Sequence, residues 1–329
     1  MKSRYLFIDY LRGVSIFAMI FIHSVDTYFL AQDSIRFLWN LSEFAVVTFI
    51  FCSAYLTFSK QPEVGTFLKG LQKRVSRLYY PYIVFAVIYL ILLSLFRYDR
   101  ITPDMLWKTF SLSGGIDIGW LVLLFLQLSI IFPLLNIWQH THRSLFIGYG
   151  ILSFASTVLF LWYPFPFDFR LIMWLPWSTI GFIALLSLRI RSSLWLPGIG
   201  FLLLYGVMYG IFQFTHHSVV QVTNKYPPNL FHLSYGIAVT LMLLEIVRLQ
   251  FSVPTWIKRL TLFLSKYSYE IFFLHYLIIH TSTMIFDVSR LPWWVFFGGV
   301  LIGTIALQYV LTRVQSIQKS VFGIETDYS

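Results

Sequence analysis

Apolar residues run along this chain in long, nearly unbroken stretches, and polar residues gather between them. A helix that crosses a bilayer needs about 20 mostly apolar residues. Ten stretches qualify, near 5–30, 38–59, 78–96, 119–138, 146–163, 172–188, 196–214, 230–248, 268–286 and 293–312. The sixth is short and holds Pro176 and Gly181, which predicts a kinked or partly re-entrant segment. The first opens behind Lys2 and Arg4, as a secretory leader would. Asp9 and Arg12 interrupt it, however, and no small-residue cleavage site follows, so it reads as a retained span. The segments left over are too short for a separate soluble domain, and neither low-complexity tracts nor internal repeats stand out. The expected fold is all-α: a polytopic integral membrane bundle of about ten transmembrane helices, with residues 1–329 forming a single transmembrane domain.

Composition removes the main rivals to that reading. Of 329 residues, 58% are hydrophobic and 12% are charged. Soluble domains carry about 25% charged residues, so this chain cannot cover a water-facing surface, nor is it disordered. Its single cysteine, Cys52, excludes an intrachain disulfide and a cysteine-based metal cage. The net charge of +10 would suggest nucleic acid in a soluble protein. Here its distribution decides. With the N-terminus in the cytoplasm and the spans alternating, sixteen Lys and Arg fall on the inner side and seven on the outer, with Arg12 inside a span. That asymmetry predicts both termini in the cytoplasm. The basic excess then records insertion into a cell membrane, and no nucleic-acid partner is needed. Tyr79, Tyr80, Trp120, Trp138 and Trp174 lie near span ends, where an interfacial aromatic belt accounts for most such residues.

In so apolar a chain, ionisable groups inside spans are conspicuous, because each costs roughly 2.5–3.5 kcal/mol on insertion scales. The first span holds Asp9, Arg12, His23 and Asp26. Arg12 and His23 are eleven residues apart, which on a helix is about 20° from eclipsed and about 16 Å along the axis. Asp9 lies three before the first and Asp26 three after the second, so all four share one stripe with Ile16 and Met19 between. A plain helix–helix polar contact would explain one buried histidine, but a four-member stripe points to function. Three weaker signals accompany it. Lys73, Arg74 and Arg77 precede the third span; Arg74 and Arg77 would share a helix face, and guanidinium forks match phosphate oxygens, although taken alone they are better explained as a positive-inside anchor. Ser268 and His275, seven apart, share a face of the ninth span, beside Glu270. Trp120 opens the fourth span after Gly114 and Gly115, with Gln127 and Pro133 following. No HExxH, P-loop or GxSxG occurs, and the paired histidines His140/His142 and His216/His217 fall in loops, so no metal site is expected.

These residues resemble the membrane-bound acyltransferase-3 family of multi-pass O-acyltransferases. Ile8 to His23 resembles its first helix, an Asp, then Leu-Arg-Gly, with the Arg-x10-His spacing carried by Arg12 and His23. Phe51 to Leu56 is similar to its Ser-Gly-Phe/Tyr-Leu segment, with Ala54 for the glycine. Arg74, Arg77 and Pro81 match its basic helix and following proline. Trp120-Leu121 and Pro133 resemble its Trp-Phe-Leu…Pro segment, with Leu121 where Phe is usual. Tyr267 to His275 is similar to its Ser-Tyr-x-Ile-Tyr-Leu-x-His helix, with Phe272 and Phe273 replacing Tyr-Leu. The resemblance implies transfer of an acyl group, most often acetyl, from cytoplasmic acyl-CoA to a hydroxyl of a cell-surface or exported glycan. It implies no tightly bound cofactor. Relatives with an added extracytoplasmic hydrolase-like domain are longer, so a second transfer step here would need a partner in glycan synthesis or export.

Acyl transfer from a thioester needs a base for the acceptor hydroxyl and stabilisation of an oxyanion. His23 is the expected general base, with Asp26 or another carboxylate orienting its ring. Arg12, Arg74 and Arg77 are the expected contacts for CoA. Ser268, His275 and Trp120 are the expected acceptor-side residues. The competing class is an exporter of a glycan or lipid-linked sugar. Transporters commonly show inverted repeats and broken midplane helices; no such symmetry is visible in this sequence.

Overall fold

The computed structural model describes residues 5–26, 28–61, 65, 67–190, 192–249 and 253–322. Among them the chain forms fourteen α-helices: α1 (Leu6–Val25), α2 (Asp33–Ser42), α3 (Ala45–Phe58), α4 (Phe67–Phe96), α5 (Pro103–Phe110), α6 (Gly119–Thr141), α7 (Arg143–Leu159), α8 (Trp174–Trp177), α9 (Thr179–Arg189), α10 (Trp195–Phe214), α11 (Leu230–Arg248), α12 (Thr255–Lys266), α13 (Ser268–Ile285) and α14 (Trp293–Phe322). Helix occupies each of the ten predicted apolar stretches. Among the described residues seven runs are long and apolar enough to cross a membrane: α1, α2 with α3, α4, α6, α10, α11 and α14. The other three fall short for separate reasons. α7 has 17 residues. The predicted sixth span breaks at Ser178 into α8 and α9, beside Pro176. α13 is long enough, but Glu270, His275 and His280 lower its apolarity.

Local chemistry sets several helix ends. Thr102 caps α5 by accepting from the Met105 N–H at 3.1 Å, with Pro103 at the first helical position. Asn229 caps α11 through the His232 N–H at 3.2 Å. Gly115 turns the chain towards α6 at φ +74°, where an added Cβ would lie 2.2 Å from the Thr109 hydroxyl.

α1 is the hub. It packs against α2, α3, α11, α12, α13 and α14. Its closest neighbour is α12, an amphipathic helix. Gly13 permits that approach, since a Cβ there would stand 2.3 Å from the Thr261 carbonyl oxygen. Burial falls away from this centre: 72% of the apolar window of α11 is buried, against 17% for α10 and 22% for α14. A helix that buries so little of an apolar surface is suited to face lipid.

Candidate active site

A cavity of about 240 Å³ opens beside α1. Arg12, Ile16 and Met19 line it from α1, the middle of the predicted stripe, one turn after another, whereas Asp9, His23 and Asp26 do not. Cys52 and Ser53 of α3, Leu78 of α4, Leu121 and Phe125 of α6, and Ser268, Tyr269 and Phe272 of α13 complete its wall. The lining is mostly apolar with few polar groups, the usual make-up of a small-molecule site. Arg12 donates from Nη2 to the Ser268 hydroxyl at 3.0 Å. Ser265 donates to Asp9 Oδ1 at 3.1 Å. The Tyr269 hydroxyl donates to the Leu78 carbonyl. Three polar links thus bind α1, α4, α12 and α13 around the end of the cavity where α1 begins.

His23 stands one turn beyond Met19 and is half-buried. Its ring centroid is 5.4 Å from that of His275, tilted by 34°, and Tyr276 approaches edge-on at 6.2 Å. His275 is fully buried, and its Nδ1 lies 2.9 Å from the Ile271 carbonyl oxygen. A carbonyl only accepts, so that nitrogen carries the hydrogen. Asp26 caps α1 with an exposed side chain, and no hydrogen bond joins it to His23 among the described residues.

Beyond His23, a buried ion pair closes the end of the bundle where α1 finishes. Lys225 Nζ lies 2.8 Å from Glu43 Oε2, with the two side chains 7% and 1% exposed. The ammonium sits 5.5 Å from the ring centroids of both Trp120 and Tyr226. Those rings meet edge-on at 4.9 Å. Burial works against the charge of Lys225, but Glu43 and Tyr226 outweigh it and raise its pKa above the ordinary lysine value. Burial pushes the Tyr226 phenol up to about 12. Trp120 is itself buried within this knot.

The predicted residues therefore separate into four places. Arg12 and Ser268 meet in the cavity wall, and His23 and His275 meet one level further along α1. Trp120 belongs to the ion-pair knot, with Asp26 at the nearby end of α1. Arg74 is half-buried and donates to the Ser129 carbonyl at 3.3 Å, whereas Arg77 is exposed. Neither lines the cavity, but Leu78 does, and Arg74 precedes it by one turn of α4, about 6 Å along the axis. Glu43 and Lys225 were not anticipated. Glu43 carried the same signal as the α1 stripe, a carboxylate within an apolar span. Among the described residues no group of three or more His, Cys, Asp or Glu is placed to hold a metal ion.

Comparison with known proteins identifies the family. No curated protein and no solved structure matches the chain. A family profile described as an acyltransferase domain matches residues 5–313, which takes in α1 through most of α14 and every candidate site residue. The chain belongs to the acyltransferase-3 family.

Proposed function

We propose that the protein moves an acyl group, in the first instance acetyl, from acyl-CoA on the cytoplasmic side of the plasma membrane to a hydroxyl of a cell-surface or exported glycan. The observation that carries this reading is the stripe on α1: Arg12, Ile16 and Met19 line one cavity, and His23 follows one turn beyond Met19 on the same helix. A cation at one end and an imidazole at the other, about 16 Å apart, match a donor that is anionic at its nucleotide and reactive at the tip of a narrow arm. Ten passes with both termini cytoplasmic are part of this proposal, supported by the excess of Lys and Arg that such an orientation puts on the inner side. Asp26, Glu43, Trp120 and Lys225 gather at one end of the bundle, and Asp9, Lys60, Asn136 and Ser265 lie on segments that meet at the other. In this orientation Arg12 and the basic start of α4 face the cytoplasm, where CoA occurs.

In the reaction, the acceptor hydroxyl gives its proton to an unprotonated nitrogen of His23 as its oxygen bonds to the thioester carbonyl carbon. The C–S bond breaks, and the proton passes to the leaving thiolate, giving ester and CoA thiol. A positioned base of this kind contributes about 10²- to 10⁴-fold. Arg12, held by Ser268, contacts the donor, and Arg74 with Arg77 meets its phosphates at the mouth.

The test uses membrane vesicles containing the full chain, labelled acetyl-CoA, and label counted in the glycan fraction. His23→Ala should lower transfer at least 100-fold at equal protein level. Undiminished transfer would remove His23 from the chemistry. Wild-type vesicles that move glycan without any acyl transfer would establish an exporter instead.

A further inference from the structure

Sequence reasoning assigned the orientation of the His23 ring to a carboxylate, with Asp26 the nearest choice. The geometry offers another partner. His23 makes no hydrogen bond among the described residues, and Asp26 is exposed at the helix end. His275 has its Nδ1–H committed to the Ile271 carbonyl at 2.9 Å. Its other nitrogen, Nε2, is buried and has no hydrogen-bond partner. With Nδ1 carrying the hydrogen of a neutral imidazole, Nε2 presents a bare lone pair, which can only accept. A doubly protonated ring would instead bury an unpaired charge, which costs far more. A buried acceptor left unsatisfied in a native structure calls for an explanation, and a functional role is one.

The His23 ring is the polar group that supplies it. The two centroids are 5.4 Å apart. An N–H···N bond of ordinary length between two imidazoles puts their centroids about 5 Å apart, so a small reorientation of His23 completes it. Catalytic hydrogen bonds are commonly long before substrate binds. We infer that His275 is the positioning residue for His23: its Nε2 accepts from one ring nitrogen of His23 and so leaves the other bare for the acceptor hydroxyl. The chain Ile271 carbonyl, His275, His23 then fixes both tautomers, the task a carboxylate performs in a serine-type triad. The partner here is neutral. It orients the base and accepts from its imidazolium without adding a negative charge to the hydrocarbon region, where one would be costly.

This inference rests on the acyl-transfer reading. Its test separates the two nitrogens of His275. In His275→Asn the amide can reproduce the Nδ1 donor to Ile271 but not Nε2. In His275→Gln the amide oxygen can reach the Nε2 position. With labelled acetyl-CoA and the full chain in vesicles, the Asn variant should lose about 100-fold in kcat, with KM for acetyl-CoA within twofold of wild type. The Gln variant should recover to within about tenfold of wild-type kcat. The inference is overturned if the Asn variant keeps kcat, if the Gln variant falls as far as the Asn variant at equal folded protein, or if the loss lies in KM. An absence of transfer by the wild type would defeat the acyl-transfer reading itself, and this inference with it.

Discussion

Around Arg12, α1 faces a cavity of about 240 Å³ whose wall is tied by single hydrogen bonds between helices. Around His23, further along the same helix, it faces the tilted ring of His275 and the edge of Tyr276, and beyond them the buried Lys225–Glu43 pair and the edge-on rings of Trp120 and Tyr226. The first half of α1 keeps its polar groups adjustable beside open space. The second keeps them among packed rings and a buried ion pair. A charged, flexible donor needs a site that yields as it enters, whereas a base needs a ring confined to small reorientations. A buried ion pair is weak evidence for stability as such, because desolvation offsets much of its attraction. Here it joins the loop before α11 to the start of α3 across the end of the bundle, so its contribution is to hold parts distant in sequence in one arrangement.

The comparison is most sharply broken by Lys225→Met. It strips Glu43 of its partner while the carboxylate stays buried, and breaking one side of such a pair costs about 3–5 kcal/mol. The thermal unfolding midpoint in detergent should fall by many degrees. Adding Glu43→Leu should recover most of that loss, since apolar replacement of both partners is often neutral. If the single variant unfolds at the wild-type temperature, the closed end does not depend on the pair.

Gly13→Ala tests the other half. Its Cβ would stand 2.3 Å from a backbone carbonyl oxygen of α12, which a side-chain rotation cannot relieve. Overpacking of this kind costs about 1–3 kcal/mol, less than the broken ion pair. The unfolding midpoint should drop modestly. Because Gly13 adjoins Arg12, the KM for acetyl-CoA should rise as well. An unchanged midpoint would mean that α12 can slide away from α1, and that the cavity end is looser than its contacts indicate.

Part of this contrast could be read from the chain. The α1 stripe was legible because it lies within one helix, where 3.6 residues per turn converts spacing into a shared face. Arg12, Ile16 and Met19 accordingly line one cavity. The break at Ser178 was legible in outline from Pro176. The Lys225–Glu43 pair was not, since its partners are 182 positions apart and no local period links them. Glu43 alone could have been marked by the cost of a carboxylate in an apolar span. Lys225 could not, because a lysine in a loop is the ordinary case. Trp120 drew attention as a span-opening aromatic, but its tertiary neighbours put it in the ion-pair knot rather than in the cavity wall. The pairing of His23 with His275 also depended on how α1 and α13 cross, which spacing within either helix does not determine.

The mildest test is Ser268→Ala. Arg12 donates to the Ser268 hydroxyl at 3.0 Å, and both residues line the cavity. A hydrogen bond to a charged group contributes about 1.5–3 kcal/mol, and Arg12 is only half-buried, which places the loss at the lower end. Stability should fall by less than that, because water in the cavity can replace the hydroxyl. What should change is where the guanidinium rests. If Ser268 holds Arg12 against the wall so that the donor meets a preset cation, the alanine variant should raise the KM for acetyl-CoA roughly tenfold, which corresponds to about 1.4 kcal/mol, with kcat unchanged. If Ser268 instead restrains Arg12 from the donor, KM should fall. A loss confined to kcat would move Ser268 out of donor binding and toward the reacting atoms, and the two halves of α1 would then share their chemistry rather than divide it.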